Sequence, residues 1–266
     1  MTAINAIVLY NFIHKGQWLH GIGYFVFFYL CLAVIYFFTR KYPSRTTIVI
    51  KKPEQELTTS LYFIAFGFIT LLINFKLNAE AAQLGLLTKI PLLLSIALFA
   101  FPVALLIYLL FKKYNLLQLG LRTTPAQSFL LGLLIWGLTG GFAFLFNKTG
   151  ITWGKPILES DGLNNSLLKG FFTAGIAEEF TRFIIQTRFE KVFRGKGFHI
   201  LFASLLWALV YFPVTYFNTG SLADTFTYCL QIIPIGFVWG YLTHRTKSFL
   251  PSAIAHGLFP WGLHNG

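Results

Sequence analysis

Apolar residues along this chain come in long runs separated by short polar stretches. A helix needs about 20 mostly apolar residues to cross a bilayer. Eight stretches meet or approach that length: 21–39, 58–75, 90–111, 127–147, 167–187, 198–217, 225–243 and 249–263. The last is short and needs a tilt, a thinned bilayer or protein neighbours. The pattern predicts an all-α, polytopic membrane helix bundle of about eight transmembrane helices. Three spans and their loops fall in residues 1–124, and five in residues 125–266. No internal repeat or low-complexity linker interrupts them, and the loop 41–57 is the most soluble segment.

The loops alternate in charge. The first carries Arg40, Lys41, Arg45, Lys51 and Lys52, and the third Lys112, Lys113 and Arg122. The fifth carries Arg188, Lys191, Arg194 and Lys196, and the seventh Arg245 and Lys247 beside His244. The even loops are poorer in bases or hold acids: Lys76 with Glu80, Lys148 and Lys155 with Glu159 and Asp161, and Asp224 alone. Basic loops stay cytoplasmic, which puts the odd loops inside and both termini outside. Trp18, Trp153 and Trp261 then fall near the outer interface, where an aromatic belt is expected. The N-terminus lacks a basic n-region, and no small-residue cleavage site follows its apolar run, so 21–39 reads as an anchor and not as a cleaved signal peptide. The expected location is a bacterial cytoplasmic membrane, as a multi-pass integral protein.

Composition sharpens this. Hydrophobic residues are 56% of the 266, and charged residues only 11%, against about 25% in soluble domains. Too little charge is present to cover a soluble surface, which excludes a water-soluble enzyme. The net charge of +12 does not indicate nucleic acid, because the bases are divided among loops with no continuous face. Anionic lipid is the simpler partner. Cys31 and Cys229 sit in apolar runs and exclude a disulfide scaffold or a Cys-rich zinc module.

The fifth span breaks the pattern. It reads LLKGFFTAGIAEEFTRFIIQT, with Glu178, Glu179 and Arg182 near its middle. Each ionised group at a helix centre costs about 2.5–3.5 kcal/mol on insertion scales. Arg182 follows Glu178 by four and Glu179 by three, so it can pair with either. The other carboxylate should face a polar cavity and is a candidate general base for a trapped water. A structural Glu–Arg clasp between helices is the competing reading. His256 lies mid-span in the eighth helix, at a helical distance from the basic end similar to that of Glu179, which suggests one shared site. Pro260 removes the backbone partner of the His256 carbonyl. Gly236 and Gly240 form a GxxxG that reads as close helix packing.

With these residues in place, about 125–263 resembles the CAAX-protease and bacteriocin-processing (CPBP, or Abi) family of intramembrane endopeptidases, with a possible lead-in at Leu117–Arg122. That family carries EExxxR, FxxxH and HxxxN or HxxxD on separate helices. Glu178 and Glu179 match the paired glutamates. In ASLLWALVYFP, Trp207 takes the Phe position and Tyr211 the His position. In GFVWGYLTHRTKSFLPSAIAHGL, His256 matches the third-motif His. Three departures stand out. Arg182 comes one residue early, Tyr211 replaces a histidine, and Pro260 replaces Asn or Asp. Tyrosine can donate a hydrogen bond but is a poor proton acceptor or metal ligand at neutral pH.

The resemblance implies that 125–266 holds the catalytic-core helices and that Glu178 activates water. Arg182 would orient Glu179, and Tyr211 and His256 would act as electrophilic donors. A divalent metal such as zinc would have Glu178 and His256 as its candidate ligands, although adjacent glutamates point about 100° apart on a helix, which makes a shared ion awkward. Expected partners are membrane lipid and a peptide or lipidated protein substrate. Two other classes stay open: a non-catalytic descendant that binds such a partner in the same cavity, and a small transporter or proton relay, for which no inverted repeat is visible.

Overall fold

In the computed structural model, residues 1–43, 48–83, 90–121, 126–147, 165–193 and 197–258 are described. Helices α1 (Thr2–His14), α2 (Trp18–Lys41), α3 (Pro53–Gln83), α4 (Ile90–Phe111) and α5 (Ala126–Asn147) come first. A π-wound segment, Asn165–Glu178, then passes directly into α6 (Glu179–Phe193). Helices α7 (Phe198–Val210), α8 (Phe212–Thr219), α9 (Leu222–Thr246) and α10 (Leu250–Gly257) complete the order. No strand occurs among the described residues. The protein is an all-α membrane helix bundle.

The described residues do not confirm a count of eight spans. Among the described residues, four helical stretches are long and apolar enough to cross a bilayer: Trp18–Lys41, Pro53–Ile73, Phe198–Thr219 and Leu222–Thr246. Thr2–His14, Ala100–Phe111 and Phe129–Thr139 are shorter apolar helical stretches. Helix α1 lies ahead of the first expected span. Gly16, at φ +69°, turns the chain from it into α2. The expected sixth span is split at Tyr211 because Pro213 enters the first turn of α8. Its missing N–H removes the bond that would have continued α7.

Helix α6 is the centre of the bundle. Ten of its 15 residues are buried, from Glu179 and Phe180 through Arg182 to Phe189. On one side Phe180, Phe183 and Ile184 pack with Leu105 and Leu109 of α4, with Phe249 just before α10 and with Ala253 of α10. On another, Ile185 and Phe189 meet Leu57 of α3. A separate core joins Phe28, Cys31 and Ile35 of α2 with Leu131 and Ile135 of α5 and with Val238, Trp239 and Leu242 of α9. Packing by protein explains how the expected fifth span holds Glu178, Glu179 and Arg182 in an apolar bundle: neighbouring helices, not lipid, surround those charges.

The outward faces of the peripheral helices are apolar. Tyr62, Phe66, Ile69 and Ile73 form a helical stripe on α3, and Leu19, Ile22, Val26 and Leu30 another on α2, all exposed. Stripes of this extent would be an aggregation liability in water, and in a bilayer they face acyl chains.

Described residues of the basic loops meet at one end. Lys51 Nζ donates to the carbonyls of Lys112 (2.8 Å) and Lys113 (2.9 Å), joining the first loop to the third. Arg245 Nε donates to Thr39 Oγ1 at 2.8 Å, joining the seventh to the end of α2. Arg188, expected as an exposed loop base, is instead fully buried. Its Nε donates to Glu56 Oε2 at 3.1 Å, while Tyr114 donates its hydroxyl to Glu56 Oε1 at 2.7 Å. Burial, reinforced by the Glu56 carboxylate, pushes the Tyr114 hydroxyl up to about 12, so it remains a donor. Trp153 and Trp261 of the expected aromatic belt, like Arg122, Arg194, Lys196 and Pro260, lie outside the described residues.

Candidate functional site

Glu178 and Glu179 straddle the junction between the π-wound segment and α6. π-Helical winding is rare, and its usual single-turn form is frequent at functional sites. Neighbouring helical positions point about 100° apart, and here the two carboxylates enter different environments.

Glu179 is 1% exposed and belongs to a closed ionic group. It forms an ion pair with Arg182, three residues on. Its Oε1 accepts from His256 Nδ1 at 2.8 Å. A carboxylate can only accept, so Nδ1 carries the hydrogen. Arg182 is 3% exposed and donates through Nη1 to the Gly236 carbonyl at 2.8 Å. The Trp239 ring completes the cage. It stacks on His256 at 3.8 Å between centroids, and the Arg182 guanidinium lies 5.6 Å from its centre. Two charges, one imidazole and one backbone carbonyl thus satisfy one another away from lipid, the condition under which a buried ion pair is tolerated.

Glu178 is the carboxylate that Arg182 leaves over. It is half-buried and lines a cavity of about 90 Å³. Its Oε2 accepts from the Trp207 indole at 2.7 Å and from the Tyr211 hydroxyl at 3.0 Å, and Tyr211 also lies 3.3 Å from Oε1. The other walls are largely apolar. Ile64, Phe68 and Leu71 come from α3 and Phe101 and Pro102 from α4, with Thr173, Thr181 and part of Arg182 as the other polar groups. A cavity of this volume has room for water, which needs about 10–15 Å³ of such space and two to four polar partners.

The five residues expected to form a site are therefore brought together, in two linked sets. Glu179, Arg182 and His256 form one, and Glu178 with Tyr211 the other. The Trp207 ring touches both, 5.1 Å from the Tyr211 ring and 5.5 Å from that of His256. Two details differ from expectation. Tyr211 hydrogen-bonds to Glu178 itself, so its donor is engaged, and the pocket around Glu178 is more apolar than polar. In the sequence Trp207 stands out only as a motif position, and Trp239 does not stand out at all. Both sit in apolar runs, and nothing in a run marks an indole that will meet a carboxylate or an imidazole.

The GxxxG reading of α9 holds and gains a second aspect. A Cβ at Gly236 would come 2.8 Å from the Trp207 ring, and one at Gly240 2.8 Å from Ile200. The close approach also lets α6 reach the α9 backbone. Arg182 donates to the Gly236 carbonyl and Gln186 Nε2 to the Gly240 carbonyl at 2.9 Å.

Glu178 and His256 do not make a zinc site on this geometry. The Glu178 oxygens accept from Trp207 and Tyr211, and the imidazole is committed through Nδ1 to Glu179. A catalytic zinc asks for three protein ligands. Among the described residues, the three-ligand group that forms lies elsewhere, at Glu190, His199 and His244.

Residues 164–262 match the family described as type II CAAX prenyl endopeptidase Rce1-like. The matched stretch contains Glu178, Glu179, Arg182, Trp207, Tyr211 and His256. No curated protein and no solved structure matches the chain.

Proposed function

We propose that this membrane protein, a member of the CAAX-protease family through residues 164–262, is an intramembrane endopeptidase in which Glu178 activates water. The reading rests on one observation. Of two adjacent glutamates, Glu179 is consumed by Arg182 and His256, while Glu178 lines the cavity. A peptide segment with apolar or lipid-bearing character would enter between α3 and α4, where Ile64, Phe68 and Phe101 supply apolar contact. The bilayer is bacterial and cytoplasmic on this reading.

In the reaction, a water beside Glu178 gives its proton to the carboxylate as its oxygen attacks the scissile carbonyl carbon. The Tyr211 hydroxyl turns from Glu178 to the developing oxyanion, a role suited to a donor that is a weak base. Glu178 then passes its proton to the leaving amine nitrogen, and the C–N bond breaks. The buried Glu179–Arg182–His256 group holds α6 and α10 in register around that carboxylate. General-base catalysis of this kind contributes about 10²–10⁴-fold.

A second reading has its own support. Both oxygens of Glu178 already accept hydrogen bonds from Trp207 and Tyr211, so a water must compete with those donors for the carboxylate. Under that reading the cavity binds a peptide or lipidated partner without cleaving it. The test is a quenched fluorescent peptide with an apolar tail, presented to the purified protein in nanodiscs. The endopeptidase reading expects cleavage by the native chain and its loss in Glu178→Gln. Cleavage appearing only after Tyr211→His with Pro260→Asn would establish the binding reading in its place.

A further inference from the structure

A second group of ligating side chains gathers at the far end of α6 from Glu178. Glu190 lies in the last turns of α6, His199 at the start of α7 and His244 in the last turn of α9. Gly197, at φ +77°, leads into α7, and Lys247, at φ +56°, ends α9. These turns return three separate helices to one point. His199 Nε2 lies 3.1 Å from His244 Nδ1. Glu190 Oε2 is 3.9 Å from His199 Nε2, and Oε1 is 3.7 Å from His244 Nδ1. The imidazole planes are inclined by 49° and are not stacked face to face, so nitrogens meet.

These spacings suit a small cation. A tetrahedral ion bound at about 2.0–2.2 Å has ligand atoms about 3.3–3.6 Å apart; the two nitrogens, 3.1 Å apart, and the nearer carboxylate oxygen of each, 3.9 and 3.7 Å away, lie close to that range. Two imidazoles and a carboxylate are a donor set that suits zinc and its first-row neighbours. Access is also suitable. His199 is 3% exposed and fixes the site, whereas the His244 and Glu190 side chains are 28% and 35% exposed and leave it open to water.

We infer that Glu190, His199 and His244 form a binding site for a divalent transition-metal cation of the zinc type, distinct from the Glu178 pocket. Glu190 follows Glu179 by eleven positions, about 16 Å along the helix, so the ion is a brace and not a reactant. It ties together the ends of α6, α7 and α9. These helices carry Glu179 and Arg182, Trp207, and Gly236 respectively.

The test uses the full chain in nanodiscs, stripped with a chelator and titrated with Co²⁺ and then Zn²⁺. The site predicts one equivalent of Co²⁺ with the visible absorption of a four- or five-coordinate ion, displaced by Zn²⁺. It also predicts a melting temperature that rises with Zn²⁺. His244→Ala and Glu190→Gln, which alter partly exposed side chains, should each weaken Co²⁺ binding at least tenfold while circular dichroism stays native. Glu178→Gln should leave binding intact. A native chain that binds no Co²⁺ would reduce the group to a hydrogen-bonded His–His–Glu cluster and overturn the site. So would absorption that survives the His244→Ala, Glu190→Gln double variant, or absorption lost in Glu178→Gln.

Discussion

Helix α6 carries two buried arginines, Arg182 near its start and Arg188 near its end, and the two do different things. Arg188 pairs with Glu56, and Tyr114 closes the other carboxylate oxygen. Every polar atom of Glu56 is thereby tied to the scaffold, joining α3, α6 and the turn after α4. Arg182 pairs with Glu179 in the same manner, but the residue before its partner is a second carboxylate, on a cavity. A buried ion pair alone therefore marks architecture. The surplus acid beside the pair is what marks chemistry.

Substitutions can separate the two. The largest effect is expected from Glu178→Gln: cleavage should fall by about 10²–10⁴-fold, with unfolding in mixed micelles little changed. A loss of fold in place of activity would put Glu178 in the same class as Glu56. Removing either arginine should destabilise the protein by about 3–5 kcal/mol, because each leaves a buried carboxylate unpaired. The surviving folded fraction distinguishes them. Arg188→Ala should keep the native kcat/KM for the fluorescent peptide, and Arg182→Ala should not, since it releases Glu179 beside Glu178.

Smaller changes sharpen the contrast. Gly240→Leu forces a side chain against Ile200 and should cost about 1–3 kcal/mol in the same unfolding assay, through the α7–α9 contact and not through the pocket. Tyr114→Phe should cost about 1 kcal/mol, with peptide cleavage unchanged. Because the folded state raises the Tyr114 hydroxyl to about 12, its contribution should be constant below pH 10 and decline as pH rises from about 10 to about 12. That decline should be missing from Tyr114→Phe in a pH series of unfolding midpoints.

Particular residues show how far the sequence could be read. The described parts of the expected spans are largely helical, because long apolar runs and their polar interruptions are local properties. The meeting of Glu179 with His256 was also accessible, since equal helical distance from one basic end places two residues at one level. Arg188 was misjudged as a loop base because charge count carries no information on burial. The Glu56–Arg188 pair spans 132 positions, a distance over which no periodicity reports. Tyr211 was identifiable as an unusual residue at a motif position, but its bond to Glu178 was not.

The order of the chain determined a bundle of apolar helices with one cluster of mid-span charge, since transfer energies of side chains add along a segment whatever its neighbours are. Which glutamate is sealed and which borders the cavity was decided only in three dimensions. Adjacent helical positions diverge by about 100°, and their partners, His256 on α10, Gly236 on α9 and Trp207 and Tyr211 around α7, arrive from separate helices. The same holds for Glu190, His199 and His244. Three unremarkable loop-end residues become a ligand set because α6, α7 and α9 end at one place.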